Sequence, residues 1–123
     1  MQYLFLAYAD EKQLDAMSSR ERDIFANACL ANDEALRENG HLLAVEALQR
    51  SNTTRVWVHN GKVSIGDGPA METNGQLNEI FLIDARDLNE AIQVAAQMPQ
   101  AHGGPIEVRP MLGLTCHYHQ EAT

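Results

Sequence analysis

The sequence is poor in cysteine and in basic residues, and both shortages narrow the classes of protein to which it can belong. Two isolated cysteines, Cys29 and Cys116, do not make a disulfide scaffold in a chain of 123 residues. Only 9 lysines and arginines stand against 17 acidic residues, which leaves a net charge of -8. Nucleic-acid backbones and anionic membranes both require a basic footprint, so we expect neither as a partner.

Long apolar runs and the motifs of two large enzyme classes are also missing. The apolar run at the N-terminus stops at Asp10-Glu11, which is too short to cross a bilayer, and no basic segment precedes it. We therefore expect a cytoplasmic protein. No glycine-rich phosphate loop opens a helix and no serine stands in a nucleophile elbow, which argues against nucleotide hydrolysis and acyl transfer.

The composition supplies a core for one domain, because 45% of the residues are hydrophobic. We assign residues 1–112 to that domain and residues 113–123 to a C-terminal tail.

Cys116 and the two histidines close behind it are possible zinc ligands, and His102 would have to be the fourth ligand. Three ligands within four residues at a chain end seldom coordinate one metal ion in tetrahedral geometry, so we predict no metal and no cofactor.

Hydrophobic periodicity predicts six strands. Residues 2–8 are apolar on both faces, as expected of a central strand that is covered on both sides. Asn60-Gly61 stands between two β-type runs and predicts a two-residue hairpin turn. The predicted strands are residues 2–8, 41–45, 53–59, 62–65, 79–85 and 106–110.

Two helices are predicted, and each opens with a capping box. Ser18 with Glu21, and Asp87 with Glu90, place two side chains three residues apart, where they satisfy unpaired N–H groups at a helix start. The remaining boundaries are Asn39-Gly40 at the end of the first helix, Pro99 after the second, and a polar connection at Asp10-Glu11-Lys12.

The element order predicts a homodimer. Two helices are too few to cover both faces of a sheet of five or six strands, so one face would remain bare. The first strand, however, is apolar on both sides. A large apolar sheet face is unfavourable in water, and pairing it with its copy in a second subunit removes the conflict.

The segment Gly66–Thr73 contains two glycines around Asp67, followed by a proline. Glycine adopts dihedral angles that other residues avoid, aspartate can bond its own backbone, and proline fixes φ, so the segment is a stiff turn. Such a turn either reverses the chain or lines a pocket, and both interpretations stay open.

Five residues are candidates for a ligand site. Tyr8 and Asp10 stand at the end of the central strand, where sites are often built. His41 begins a strand and could act as a base near neutral pH. Asp67 is predicted to fold its own turn in the loop that would line the pocket, while Glu72, just past Pro69, is the better candidate for an acid that faces a ligand.

Taken together, a series of motifs in order along the chain resembles the YCII-related family, in the branch named for its Asp-Gly-Pro-Phe motif. The resemblance covers nearly the whole chain, and the three residues Asp-Gly-Pro alone would be weak. The residues that carry it are Tyr3–Tyr8 with Asp10-Glu11, Gly40, Asp67-Gly68-Pro69, Glu72-Thr73, Gln76-Leu77, Phe81–Asp84, Asp87–Ala91 and Glu107–Pro110.

The resemblance implies an α+β fold, a ferredoxin-like antiparallel sheet with two helices on one face, in the dimeric α/β-barrel arrangement. It also implies a regulatory setting, since many members are encoded near extracytoplasmic-function sigma factors. The chain departs from the branch pattern at Ala70, Asn74 and Asn78-Glu79, which would widen and neutralise a pocket lined by that loop. The His–Asp pair of some shorter relatives is not carried over, because Asn27 lies near the place expected for its histidine.

We therefore expect a homodimer that binds an unknown small molecule in a pocket between Tyr8, the strand from His41 and the Asp67–Glu72 loop. The alternative is an acid–base enzyme of the lyase or isomerase type, acting on a small aromatic or carbonyl substrate. His41 or Glu72 would then move the proton and Tyr8 would hold an oxygen. A third interpretation is a protein-interaction module tied to transcriptional control. One deep pocket with convergent polar groups would favour the first two over the third.

Overall fold

An antiparallel sheet of four strands forms the centre of the computed structural model, which describes residues 1–49, 52–69 and 75–112. The apolar N-terminal run is β1, Gln2–Ala9, and it lies inside the sheet as expected. It pairs with β5, Gln76–Asp84, on one side and with β6, Ile106–Pro110, on the other. β2, Leu42–Ala47, pairs with the far edge of β5. The order β2-β5-β1-β6 is ferredoxin-like, which confirms the predicted fold class.

Three α-helices accompany the sheet, where the sequence predicted two. The two expected helices are α2, Ser19–Glu38, and α3, Leu88–Gln97. The additional helix is α1, Glu11–Ala16, in the segment predicted to be a polar connection. Asp10 starts it, because its Oδ1 accepts the backbone N–H of Lys12 at 3.0 Å. A 3₁₀ helix, Pro99–His102, follows α3. No helix in the described part of the chain is long and apolar enough to span a membrane.

The structure contains the first predicted capping box in full and the second in part. Ser18 Oγ accepts the Glu21 N–H and the Glu21 carboxylate accepts the Ser18 N–H, both at 3.1 Å, so this capping box is complete. Asp87 accepts the Glu90 N–H at 2.9 Å. The Glu90 carboxylate, however, accepts the N–H of Arg86 and also pairs with its guanidinium at 2.8 Å. The reciprocal half of the second box is therefore displaced by one residue.

The two faces of the sheet differ in their cover. One face packs against α2 and α3, and its largest fully buried side chains are Tyr3, Phe5, Phe81 and Ile83, with Met98 beside them. On the opposite face, no helix among the described residues covers the alternating side chains of β1 and β5. These half-buried residues, here named the outer sheet face, are Leu4, Leu6, Ile80 and Leu82.

The predicted hairpin stands outside this sheet. β3, Thr54–His59, pairs with β4, Lys62–Asp67, in a sheet of its own. Asn60 and Gly61 both have positive φ, 51° and 75°, which is the two-residue turn that the sequence predicted. Val56 lies opposite Ile65 and Val58 opposite Val63, and all four side chains are exposed. We name these four residues the hairpin aliphatic face.

Candidate functional site

A cleft of about 1810 Å³ opens where the end of β1 meets the base of the hairpin. This volume exceeds the several hundred Å³ typical of small-ligand pockets. Segments distant in the sequence line it: the end of β1 and the start of α1, the hairpin base, the start of β5 and the 3₁₀ helix. Lining residues with polar side chains include Tyr8, Asp10, Lys12, Thr53, Asp67 and His102.

The floor of the cleft depends on a close approach of two backbones. The Tyr8 N–H donates to Pro105 O at 3.0 Å, and the Asp10 N–H donates to Gly103 O at 3.3 Å. Between these two bonds, a Cβ on Gly104 would overlap the carbonyl oxygen of Tyr8. Only glycine lets the loop before β6 lie this close to β1, so Gly104 sets the position of the Tyr8 backbone.

Tyr8 is held by a hydrogen bond from its hydroxyl to Oε1 of Glu107, at 3.1 Å. Burial raises the pKa of Tyr8, and the hydrogen bond to the Glu107 carboxylate raises it further. The phenol therefore stays neutral and its proton is directed at Glu107. The hydroxyl oxygen of Tyr8 can therefore accept a hydrogen bond from a ligand. To donate a hydrogen bond to a substrate oxygen, Tyr8 would have to break its bond to Glu107.

Asp10 and Asp67 both line the cleft, from different sides. Asp10 uses Oδ1 to cap α1, so this oxygen has a structural role as well. Asp67 ends β4 opposite Thr54, and Gly68 continues the chain with an N–H bond to Thr53 O at 2.9 Å. The described part of the Asp-Gly segment thus continues the pairing with β3 and borders the cleft, while residues 70–73 of the predicted turn lie outside the described residues.

His41 lies at the opposite end of the sheet. Its Nδ1 is 2.8 Å from the backbone oxygen of Asp84, and Asp84 pairs with Gln2 at the start of β1. Tyr8 is six residues farther along the strand, about 20 Å at the rise of an antiparallel strand. The structure therefore brings together Tyr8, Asp10 and Asp67 and does not bring His41 to them. Glu72 lies outside the described residues.

The charges around the cleft are mostly acidic. Asp10, Glu11 and Asp67 line it, against Lys12 and the imidazole of His102. This balance disfavours a polyanionic ligand and is compatible with a neutral or cationic one. His102 was considered from the sequence only as a metal ligand. Its place in the cleft follows from the turn after α3, where Pro99 begins a 3₁₀ helix.

A second polar group, unpredicted from the sequence, lies between α2, β5 and the 3₁₀ helix. Gln100 Nε2 donates to Glu79 Oε1 at 3.4 Å, and the carboxyl group of Asp33 lies nearby. Burial raises the pKa of both carboxyl groups, Asp33 and Glu79. Burial, with the two carboxylates nearby, also raises the pKa of the Cys29 thiol to about 11. Within the described residues, Asp33 Oδ1 and Gln100 Oε1 are buried with no hydrogen-bond partner.

The helix face behind this cluster differs from the predicted one. Apolar residues at helical spacing, among them Ile24, predict a buried stripe on α2. Ile24 is nevertheless 59% exposed. The side chains that turn inward are Phe25, Cys29, Asp33 and Leu36, and the last two are buried. These residues are four, four and three positions apart, which is the spacing of one helix face. That spacing is the sequence signal from which the inward position of Asp33 could have been predicted.

Metal binding is not indicated in the described part of the chain. No group of three or more His, Cys, Asp or Glu side chains there is placed to hold a metal ion. The Cys116 and histidine cluster considered from the sequence lies outside the described residues, as does the whole segment assigned to a tail.

Comparison with known proteins gives one family, one relative in sequence and one similar solved structure. The YCII-related domain matches residues 1–115. A protein of Rhizobium meliloti (strain 1021) that is described as uncharacterised is 32% identical over 114 residues, covering 90% of this chain and 92% of that protein. A solved structure of a 5-chloro-2-hydroxyhydroquinone dehydrochlorinase from Burkholderia phenoliruptrix AC1100, in complex with 2,5-dihydroxybenzoquinone, matches with a TM-score of 0.54. At 14% identity, over 97% of this chain and 98% of that one, it supports the fold alone.

Proposed function

Because the chain belongs to the YCII-related family, we propose that it is a homodimeric small-molecule-binding domain whose ligand occupies the cleft at the end of β1. One observation carries the proposal: polar side chains from β1, α1, β4 and the 3₁₀ helix converge on this one cleft. Convergence of polar groups from several segments is typical of a ligand site and is not needed for stability at an exposed edge.

The proposed ligand is a neutral or cationic polar molecule. The acidic lining of Asp10, Glu11 and Asp67 would attract an ammonium group and repel a carboxylate. Tyr8 would accept a hydrogen bond from the ligand, since its own proton is directed at Glu107. Glu72 stays a proposed ligand residue from the sequence, three residues past Pro69, where the described part of this loop ends.

A thermal-shift screen tests this proposal with small ring compounds, each offered once with an ammonium group and once with a carboxylate. A ligand at a hundred times its Kd stabilises the folded state by about 2.7 kcal/mol, which is a readily measured shift in Tm. We expect hits among the ammonium members. If the carboxylate members bind as well or better, the charge argument is wrong.

Matched variants test whether the ligand binds in the cleft. Asp67→Asn and Glu72→Gln keep shape and remove charge, so each should weaken a cationic hit by roughly tenfold or more and hardly change Tm. His41→Gln is the control, because His41 lies at the other end of the sheet. Equal affinity of Asp67→Asn, Glu72→Gln and the parent for the same hit would move the site away from this cleft. If the Asp67 side chain folds its own turn, as the sequence predicts, Asp67→Ala should lower stability by about 1 kcal/mol.

A second function is favoured by the structural likeness to the dehydrochlorinase. A fold of this kind holds 2,5-dihydroxybenzoquinone in that protein. We propose as the alternative an acid–base enzyme of the lyase or isomerase type, with His102 or Glu72 moving the proton; among the described residues, His102 is the histidine that lines the cleft. Chloride release from 5-chloro-2-hydroxyhydroquinone, lost in His102→Gln and retained in His41→Gln, would support it. No release from the parent would exclude this substrate.

The finer assignments from the sequence belong to the same proposal. They are membership of the Asp-Gly-Pro-Phe branch, a cytoplasmic location, a link to sigma-factor regulation, no nucleic-acid or membrane partner, and a domain of residues 1–112. The link to regulation has a direct test, since co-purification of the tagged protein with a sigma factor from its own host would support it.

A further inference from the structure

A second cavity, of about 510 Å³, lies beside the hairpin, and we name it the hairpin pocket. It is lined by the consecutive residues Thr53–Trp57. Side chains of both hairpin faces take part, so the pocket follows the edge of β3 that does not pair with β4. Its volume lies in the range of small-molecule sites. Thr53 also lines the cleft at the end of β1, so the two cavities are neighbours.

The guanidinium of Arg55 is held against this pocket by three neighbours. Its Nη1 donates to Pro69 O at 3.3 Å, and its centre lies 5.7 Å from the ring centre of Trp57. Gly66 lies opposite Arg55, and a Cβ there would be 2.5 Å from Nη2 of the guanidinium. The missing side chain at Gly66 therefore leaves the space that the guanidinium occupies.

Arg55 has hydrogen-bond donors that the described residues do not use. A guanidinium carries five N–H groups, and the bond to Pro69 O takes one of them. Its Nε is buried and has no hydrogen-bond partner. No ion pair within residues 1–49, 52–69 and 75–112 joins Arg55 to a carboxylate. A planar oxyanion, which a guanidinium binds through two parallel N–H groups, is the acceptor that fits these donors.

Trp57 adds an aromatic ring to the same pocket. The residue is 50% exposed although Arg55 lies against its ring. On β4, Ser64 lies opposite Trp57 and Gly66 opposite Arg55, so the cross-strand neighbours are small and leave the ring accessible. A planar ligand ring can stack on a tryptophan exposed in this way. The pocket thus offers a stacking surface beside a fixed cation.

The charges on this face of the hairpin favour an anion. By strand alternation, His59 and Lys62 share the face of Arg55. Asp67, the acidic residue of the hairpin, lies on the hairpin aliphatic face instead. The chain as a whole carries a net charge of -8, which repels a polyanion such as a nucleic-acid strand. The pocket is therefore suited to a small anion.

We propose that the hairpin pocket binds a small aromatic anion, with its ring stacked on Trp57 and its oxyanion paired with the guanidinium of Arg55. The oxyanion is a carboxylate or a phosphate, because arginine binds both through the same planar set of N–H groups. The inference goes beyond the proposed function and does not depend on it. The lining of the cleft is mostly acidic and suits a cation, whereas the charged residue of the hairpin pocket is an arginine.

The first test uses the fluorescence of Trp57, which is the single tryptophan of the chain and so reports this pocket directly. We expect benzoate or phenyl phosphate to quench its emission saturably, after correction for absorbance. The one that binds more tightly identifies the oxyanion. Acetate and inorganic phosphate lack the ring, and benzylammonium carries the opposite charge, so none of these should quench at the same concentrations. Equal quenching by any of them would overturn the proposal.

Variants then assign the quenching to Arg55. Arg55→Gln should weaken the aromatic anion by roughly tenfold or more, as for a lost charge-assisted bond. Arg55→Lys keeps the charge without the planar donors and should also bind more weakly than the parent. Lys62→Gln removes the same charge from the same face outside the pocket lining, and should change Kd by less than about twofold. Equal losses in Arg55→Gln and Lys62→Gln would show only general charge attraction and overturn the proposal.

Gly66→Ala tests the position of the guanidinium while every residue of the pocket lining stays the same. The new Cβ would meet Nη2, so the guanidinium must move, and the fold should tolerate this because that atom ends a flexible side chain. We expect a loss of affinity smaller than that of Arg55→Gln, with an unchanged Tm. Ser64→Ala, on the same strand, should show no such loss. Parent affinity in Gly66→Ala would contradict the placement of the anion on Arg55.

The outcomes separate this pocket from the cleft. A cationic ligand of the cleft should keep its affinity in Arg55→Gln, and the aromatic anion should bind no more weakly in Asp67→Asn. A carboxylate that stabilises the protein counts against the cleft only if it leaves the emission of Trp57 unchanged and still binds Arg55→Gln. If neither benzoate nor phenyl phosphate quenches Trp57, the hairpin pocket is not a site for aromatic anions, and the cleft proposal stands.

Discussion

The hydroxyl of Tyr8 and the carboxylate of Glu107 are 3.1 Å apart, although 99 residues separate them in the sequence. They are brought together because β6 pairs with β1 antiparallel, with Glu107 opposite Leu6 and Tyr8 two residues farther on the same face. The bond ties the edge strand to the side chain that lines the cleft. It also fixes which way the Tyr8 proton points, and so what the cleft offers to a ligand.

This pair should show energetic coupling. In a double-mutant cycle of Tyr8→Phe and Glu107→Gln, we expect a coupling energy of about 1 kcal/mol in the free energy of unfolding, as for a partly exposed hydrogen bond. Because the native pKa of Tyr8 is raised above 10.0, the native state holds this proton more tightly than the unfolded state. Stability should therefore fall as the pH rises above 10, and less so in Tyr8→Phe. Additive single changes would show that the bond contributes nothing.

The buried carboxyl groups predict a second pH dependence. Asp33 and Glu79 both have pKa values raised above 3.8 and 4.5, so the native state binds these protons more tightly than the unfolded state. The free energy of unfolding should then fall as the pH rises through and above these values. Asp33→Asn should have a higher Tm than the parent at pH 7, and the difference should vanish at pH 3, where the parent aspartate is protonated.

Asp23→Asn is the control for this measurement, because it removes the same charge from an exposed position of the same helix. Its Tm at pH 7 should stay near that of the parent. An equal rise in both variants would assign the effect to net charge and not to burial at Asp33.

Two neighbouring glycines should respond very differently to alanine. Gly104→Ala places a methyl group on the Tyr8 carbonyl oxygen, so the backbone must shift. We expect a loss of about 1–3 kcal/mol, as for overpacking in a tight site. Gly103→Ala meets its nearest atom, Phe25 Cζ, at 3.6 Å and has an ordinary helical φ of -97°. It should be neutral or slightly stabilising. Chemical denaturation of both variants decides this, and equal losses would contradict the close approach.

Cys29 should react slowly while the protein is folded. Its pKa of about 11, against a usual 9.0, leaves about one hundredth of the ordinary thiolate fraction at pH 8. In a Cys116→Ser background, a thiol reagent should label Cys29 about a hundredfold more slowly in the native protein than after denaturation. Equal rates in the two states would place Cys29 outside the interface between α2 and the sheet.

The sequence determined the features that depend on neighbours a few residues apart. The cap of α2 forms between Ser18 and Glu21, and the hairpin turn forms because Asn60 and Gly61 can adopt positive φ. The central strand was visible from apolar residues on both of its faces. The same local patterns, in order along the chain, were specific enough to indicate the family and through it the ferredoxin-like sheet.

Only the tertiary structure decided which residues share a site. Strand order places His41 at the Gln2 end of the sheet and Tyr8 at the other end. This separation cannot be read from any local sequence pattern. The phase of α2 against the sheet turns Asp33 inward and Ile24 outward, because packing selects one stripe among several that the sequence allows. The approach of Gly104 to Tyr8 likewise depends on the pairing of β1 with β6. Strand pairing and helix packing bring together residues that are far apart in the chain. Sequence periodicity describes only neighbours a few residues apart, so it does not show which distant residues come into contact.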